Sequence, residues 1–203
     1  MTEMQLAAEI EYAMRSRGGD YPATATLVAS GPRTAAGHAR PSDRVMNMGD
    51  LVHVEFAGVA RRYQCVAMKT FSLGEPSSRA QELYHAGRES LEAGLAAIKV
   101  GAPVSEAEIA SLHSLEKRGL EKYAVMRFGL GLAAAYPPTW GNNLNITRES
   151  QESFRIGMVF YLHSWLEVPE DHLGIIIGGS YLMTAQGPEE LSNGSPELDV
   201  VSP

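Results

Sequence analysis

The sequence predicts an α+β fold. Three observations carry this: an alternating strand pair, Leu51–Phe56 and Tyr63–Leu73, joined by a short turn; two apolar-periodic helical stretches that follow it; and two strand-like runs, Met158–Leu166 and Gly174–Thr184, near the end.

Thr2–Arg17 reads as an amphipathic helix, because Leu6, Ile10 and Ala13 or Met14 recur every three or four residues. Thr2 and Gln5 have the spacing of a capping box, and Gly18-Gly19-Asp20 ends the helix. Thr24–Ser30 is β-branched and reads as a strand, and Gly31 to Asp50 reads as loop. In Leu51–Phe56, Leu51, His53 and Glu55 share the face opposite Val52, Val54 and Phe56. Pattern alone leaves open which face is inside. Pro76–Ile98 is a helix with Leu83, Leu91, Leu95 and Ile98 on its apolar side. Pro103–Arg118 is a second, with a Ser105/Glu108 capping box and Gly119 as its stop. Gly129–Leu144 reads as irregular, and the tail after Gln186 as turn-rich and frayed.

Composition narrows function. Of 203 residues, 44% are hydrophobic and 20% charged, as in a globular core. A net charge of −7 with no basic tract argues against a nucleic-acid partner. No apolar run approaches the ~20 residues that a membrane-spanning helix needs. The mixed Thr2–Arg17 segment is no signal peptide, so a cytoplasmic location is the expectation. The lone Cys65 cannot form an internal disulfide, there is no CxxC pair, and a small buried thiol is its reading. Gly129-x-Gly131 lacks the Lys-Ser/Thr of a phosphate loop. His53, His85, His113 and His172 have no metal-ligand spacing. Arg61 and Arg62 are solvated hairpin-tip residues or a carboxylate clamp; Trp140 and Trp165 pack in the core or wall a pocket.

The blocks AAEIEYAMRSRGGDYPA, VASGPRTAAGHARPSDR and GDLVHVEFAG, in this order, resemble the catalytic domain of the pita-bread family of methionine aminopeptidase, prolidase, Xaa-Pro aminopeptidase and creatinase. The resemblance implies a curved, mainly antiparallel sheet backed by helices, with the pocket inside the curve. It implies a catalytic-type domain over residues 1–191 without the N-terminal creatinase-like domain, a flexible tail over 192–203, and a homodimer. Metallopeptidase members hold two metal ions with two Asp, one His and two Glu. The matching positions here are Glu55, Val66 eleven residues on, Leu130, His163 and Gly178. Val66, Leu130 and Gly178 have no donor atom to offer a cation, so no metal or other cofactor is expected.

The hairpin VEFAGVARRYQCVAMKTFSLGEP, with YPPTWG and MVFYLHSWL, looks most like the metal-free ectoine hydrolase branch, near creatinase. That likeness implies metal-independent hydrolysis of a non-peptide C–N bond in a small polar nitrogenous substrate. Glu55 is then nucleophile or base, and His38, in HARPSD, the proton shuttle. His163, Tyr161, Gln64 and Tyr63 contact substrate. Gln64 stands where that branch has His, and Ile176 and Gly178-Gly179 stand where it has acidic residues. The alternative is a catalytically degenerate Xaa-Pro peptidase-like domain that only binds.

Overall fold

The computed structural model describes residues 1–125, 128–192, 194 and 197–202. The elements are α1 (Glu3–Arg15), β1 (Leu27–Ser30), β2 (Leu51–Ala60), β3 (Tyr63–Leu73), α2 (Ser78–Ala97), α3 (Ser105–Glu116), β4 (Gly129–Leu132), β5 (Gly141–Ile146), β6 (Val159–Val168), β7 (Leu173–Thr184), β8 (Gly187–Glu190) and β9 (Asp199–Val201). They form a curled sheet in the order β1-β2-β3-β7-β6-β4-β5, with β8 on β7 and β9 on β3. All pairings are antiparallel except β3 with β9. The α+β fold with a curved, mainly antiparallel sheet is therefore as the sequence predicts.

The long ladders β2–β3 and β6–β7 are the two halves of the curl. They join where Ala67 and Met68 pair with Gly179 and Gly178, flanked by Ser180 and Thr70 hydroxyls that bond the Val66 and Ile176 backbones. The curl tightens at one end, where Tyr63 bridges Ala134 and the Ala135 N–H donates to the Arg62 carbonyl. Helices α2 and α3 cover the outer face of β6 and β7 through Leu83, Leu91, Leu115, Phe160, Leu162 and Ile175. Helix α1 backs β1 and β2 through Ala7, Val28, Val52 and Val54. The even positions of β2 therefore face outward to α1, which turns His53, Glu55 and Ala57 into the concave side.

The Thr2/Gln5 capping box forms, with Thr2 Oγ1 accepting from Gln5 N and Gln5 Oε1 accepting from Thr2 N. The second proposed box does not. Val104 is the N-cap of α3 with no side-chain cap, and Glu108 turns inward to accept from the Phe128 and Arg148 N–H groups. Glu108 finds better donors in the tertiary structure than at its own helix end. The stretch expected to be irregular contains β4 and β5, whose ladder is interrupted by a register shift. A broken, glycine-rich ladder leaves little period-two signal. The tail also departs from its expected fraying: β8 extends a hairpin from β7, and β9 lies parallel to β3. Asn193, Ser195, Pro196 and Pro203 of that tail lie outside the described residues.

One buried carboxylate fastens the loop that carries His38. Glu3 has no exposed surface. It accepts from the backbone N–H and hydroxyl of both Ser30 and Ser42, and pairs with Arg33 at 3.2 Å. Burial alone would raise its pKa. The serine hydrogen bonds and the Arg33 charge outweigh burial and hold it below the usual carboxylate value. This contribution is present above the unfolded-state pKa and is lost as acid titrates the folded carboxylate. Glu3→Ala leaves these donors without their acceptor and should cost about 3 kcal/mol in urea unfolding at neutral pH. An unchanged midpoint would refute the role given to Glu3.

Candidate active site

The register of the sheet places the site. Glu55 on β2 faces Met68 on β3, Met68 faces Gly178 on β7, and Gly178 faces His163 on β6. The next row toward the tight end runs Ala57, Val66, then Ser180, Tyr161 and Leu130. The row on the other side holds His53, Thr70, Ile176 and Trp165. Strand alternation thus brings Glu55, Val66, Leu130, His163 and Gly178 onto one concave surface, although they come from five different strands.

Most of that surface is apolar. Val66, Met68, Leu130, Leu132, Tyr161, Trp165 and Ile176 form one packed cluster with Ala57, Ala135 and Trp140. Glu55 sits at its border, 3% exposed, with Oε2 sealed and without a hydrogen-bond partner. Burial pushes its pKa up to about 7. His38 approaches from the loop, its Nε2 3.9 Å from Glu55 Oε2. The His38 ring stands edge-on to the Trp165 indole at 4.8 Å, and its backbone is left-handed (φ 51°). That conformation disfavours a side-chain-bearing residue and is often met at functional positions. At Gly37 the loop passes close to the Glu167 carboxyl and the Trp165 indole. Trp165 also meets His53 at 6.1 Å and His163 at 6.0 Å, and Tyr161 stacks on His163 at 5.5 Å.

Of the site residues read from the sequence, Glu55, His38, His163 and Tyr161 come together. Gln64 and Tyr63 stand apart from them. The Gln64 amide accepts from Ala23 N and donates to the Arg62 and Ala135 carbonyls, so it fastens the tight end of the curl. Tyr63 is 66% exposed at the hairpin tip. His53, absent from that set, lies on the same concave face. Its strand-face relation to Glu55 was visible in the alternation, but a lone His on an apolar strand carries no further signal. Arg62 is no free clamp either: it donates to the Tyr21 and Ala135 carbonyls and lies over the Tyr21 and Tyr136 rings.

The donor set does not fit a two-metal centre. Val66 and Leu130 present hydrocarbon, and among the described residues no three His, Cys, Asp or Glu side chains converge as metal ligands. Gly178 goes further. A Cβ added there would lie 2.2 Å from the Leu162 carbonyl oxygen and 2.8 Å from the His163 Cα. The backbone of β7 has closed on β6 where a ligand side chain would have to begin.

Residues 1–185 match the profile of metallopeptidase family M24. Ectoine hydrolase from Halomonas elongata is 32% identical over 90% of this chain and 45% of its own length. Xaa-Pro dipeptidase from Pyrococcus furiosus is 26% identical over 97% of this chain and 55% of its own length. The crystal structure of an X-Pro aminopeptidase from Thermotoga maritima superposes with a TM-score of 0.92 at 26% identity, covering 99% of this chain and 56% of that one. This chain spans about half the length of the curated relatives it matches. The chain belongs to metallopeptidase family M24.

The buried Glu55 has a consequence for stability. Its folded pKa lies above the usual value of 4.5. Folding is unpenalised below the unfolded pKa, loses stability as pH rises from there to about 7, and carries the full penalty above it. That penalty is about 3 kcal/mol. Glu55→Gln should therefore stabilise the protein by up to about that amount at pH 9, and by almost nothing at pH 4. Urea unfolding of both proteins across this range checks it; a difference independent of pH would show that the carboxylate is solvated or paired.

Proposed function

We propose that this member of the M24 family hydrolyses a non-peptide C–N bond in the manner of an ectoine hydrolase, without a metal ion. Glu55 is the base or nucleophile and His38 the proton shuttle. The observation that carries the reading is the pairing of a sealed, unpartnered carboxylate with an imidazole nitrogen 3.9 Å away, at the edge of an apolar wall. A carboxyl titrating near 7 is partly ionised at neutral pH and basic enough to take a proton from water. In the base form of the reaction, Glu55 removes that proton as the water oxygen adds to the amidine carbon. The C=N electron pair goes to its nitrogen, which takes that proton through His38. The adduct's hydroxyl then gives its proton to the leaving nitrogen, again through His38, as the carbonyl forms and the C–N bond breaks with its electron pair on that nitrogen. One water is consumed and Glu55 and His38 return to their starting states. His163 and Tyr161, stacked on the neighbouring strand, orient the substrate. The likeness to the Halomonas elongata ectoine hydrolase supports the substrate class, and the ligand-poor wall supports the absence of a metal step.

The test is ring opening of ectoine followed by NMR, with the purified chain in EDTA. Turnover should persist in chelator. Glu55→Gln should lower kcat by roughly 10²–10⁴-fold with the fold intact. Activity that appears only on adding Mn²⁺ or Co²⁺ would contradict the metal-free route, and full activity in Glu55→Gln would remove the carboxylate from the mechanism.

A further inference from the structure

The loop that carries His38 is seated on one rung of the sheet, Glu167 of β6 paired with Gly174 of β7. The Gly174 N–H donates to the Thr34 hydroxyl at 3.0 Å, and the Thr34 carbonyl lies so close that Gly174 has no room for a side chain. Three residues on, Gly37 sits beside the Glu167 carboxyl and the edge of the Trp165 indole. His38 follows, in its left-handed backbone conformation. Packing encloses only half of the His38 side chain, which is 49% exposed. On the buried side its ring meets the Trp165 indole edge-on at 4.8 Å.

Trp165 is in turn tied to Glu167. The indole is 3% exposed, and its one polar atom is the Nε1–H donor, which a buried tryptophan normally gives to an acceptor. Among the described residues, Trp165 Nε1 and Glu167 Oε1 have no other partner, so the indole N–H and the carboxyl serve each other. Burial raises the Glu167 pKa, and the Trp165 N–H draws it part of the way back. The two residues lie two positions apart on β6, so their side chains share the concave face. The χ2 torsion of a tryptophan has two broad wells. A directional bond from its N–H selects one of them, and with it the edge that His38 meets. That edge matters because His38 Nε2 lies 3.9 Å from Glu55 Oε2, and a small swing of the ring would end the approach.

We propose that Glu167 is a positioning residue: by fixing the Trp165 indole through its N–H, it holds the His38 ring at the Glu55 carboxyl. Its part in turnover rests on the roles proposed above for His38 and Glu55. Glu167 acts through Trp165 and carries no proton in the reaction. The arrangement needs an acceptor at that point and not a charge. Glutamine should therefore serve nearly as well as glutamate, and leucine should not.

The full chain is compared as wild type, E167Q and E167L, by NMR of the indole N–H and histidine ring signals and by ectoine turnover. The Trp165 and His38 signals are assigned by their loss in W165F and H38N. In E167L the Trp165 N–H should shift upfield and the His38 ring signals should move; in E167Q both should stay near their wild-type positions. E167L should lower kcat by roughly 10²-fold with KM within about twofold, and E167Q should keep kcat within about threefold. In the H38N background, E167L should lower the remaining turnover by less than about twofold, because no ring is left to position. A lowered urea midpoint in E167L with unmoved His38 signals would make Glu167 a merely structural residue and overturn the proposal. So would an equal loss of kcat in E167L with and without His38. Wild-type turnover with His38 unmoved in E167L overturns the positioning role and spares the hydrolase reading. Absence of wild-type turnover, with the ring displaced in E167L and restored in E167Q, does the reverse.

Discussion

A carboxylate on the inside of a curved sheet must find a cation, find hydrogen-bond donors, or hold its proton to higher pH. Glu55 does the third, titrating near 7 rather than in the usual carboxylate range, and the chemistry of the site follows from that. Its row holds Met68, Gly178 and His163, and the next holds Val66, Tyr161 and Leu130. None of these brings a fixed positive charge to the carboxyl. Burial therefore sets its titration, and among the described residues the side chain within ion-pair distance, His38, comes from outside the sheet. The contrast with Glu3 is instructive. Both carboxyls are buried, yet Glu3 receives four hydrogen bonds and a guanidinium, and its pKa moves the opposite way. One carboxyl is built to hold the fold, the other to remain unsatisfied.

The same region explains why membership of a metallopeptidase family need not bring metal chemistry. Losing ligands one at a time would leave a hydrophilic hole. Here hydrocarbon takes the ligands' place: Val66, Leu130 and Ile176 pack against Trp165 and Tyr161. At Gly178 the main chain itself occupies the space where a side chain would start. Interiors packed to crystal-like density do not reopen for a single substitution. Restoring a carboxylate on β7 would require β6 and β7 to move apart along a ladder that runs from Val159 to Val168.

Much of this was legible in the sequence, for physical reasons that differ by element. The alternation of Leu51–Phe56 carries the strand and both its faces, because one face packs on α1 and the other on the cavity. Glu55 and His38 were found through motif likeness, since no period or spacing sets a loop histidine beside a strand glutamate. Strands β4 and β5 escaped because Gly129-Leu130-Gly131-Leu132 is short, glycine-rich and paired through a register shift. The Glu108 cap failed because a local pattern cannot show that Phe128 and Arg148 offer better donors from far along the chain. Gln64 and Tyr63 were placed in the site by likeness to the hairpin motif, in which Gln64 stands where the ectoine hydrolase branch has His, whereas closure of the hairpin tip onto Ala134 and Ala135 draws them to the other end of the strand. His53 had no sequence signal beyond sharing a face with Glu55.

The central claim is that this cavity offers too few donor atoms to hold a pair of divalent cations. It is tested most directly by diffraction from crystals grown in excess Mn²⁺, with data collected near the manganese absorption edge. The anomalous difference map should be empty beside the Glu55 carboxylate. Two strong adjacent peaks there, within bonding distance of that carboxylate, would contradict the account.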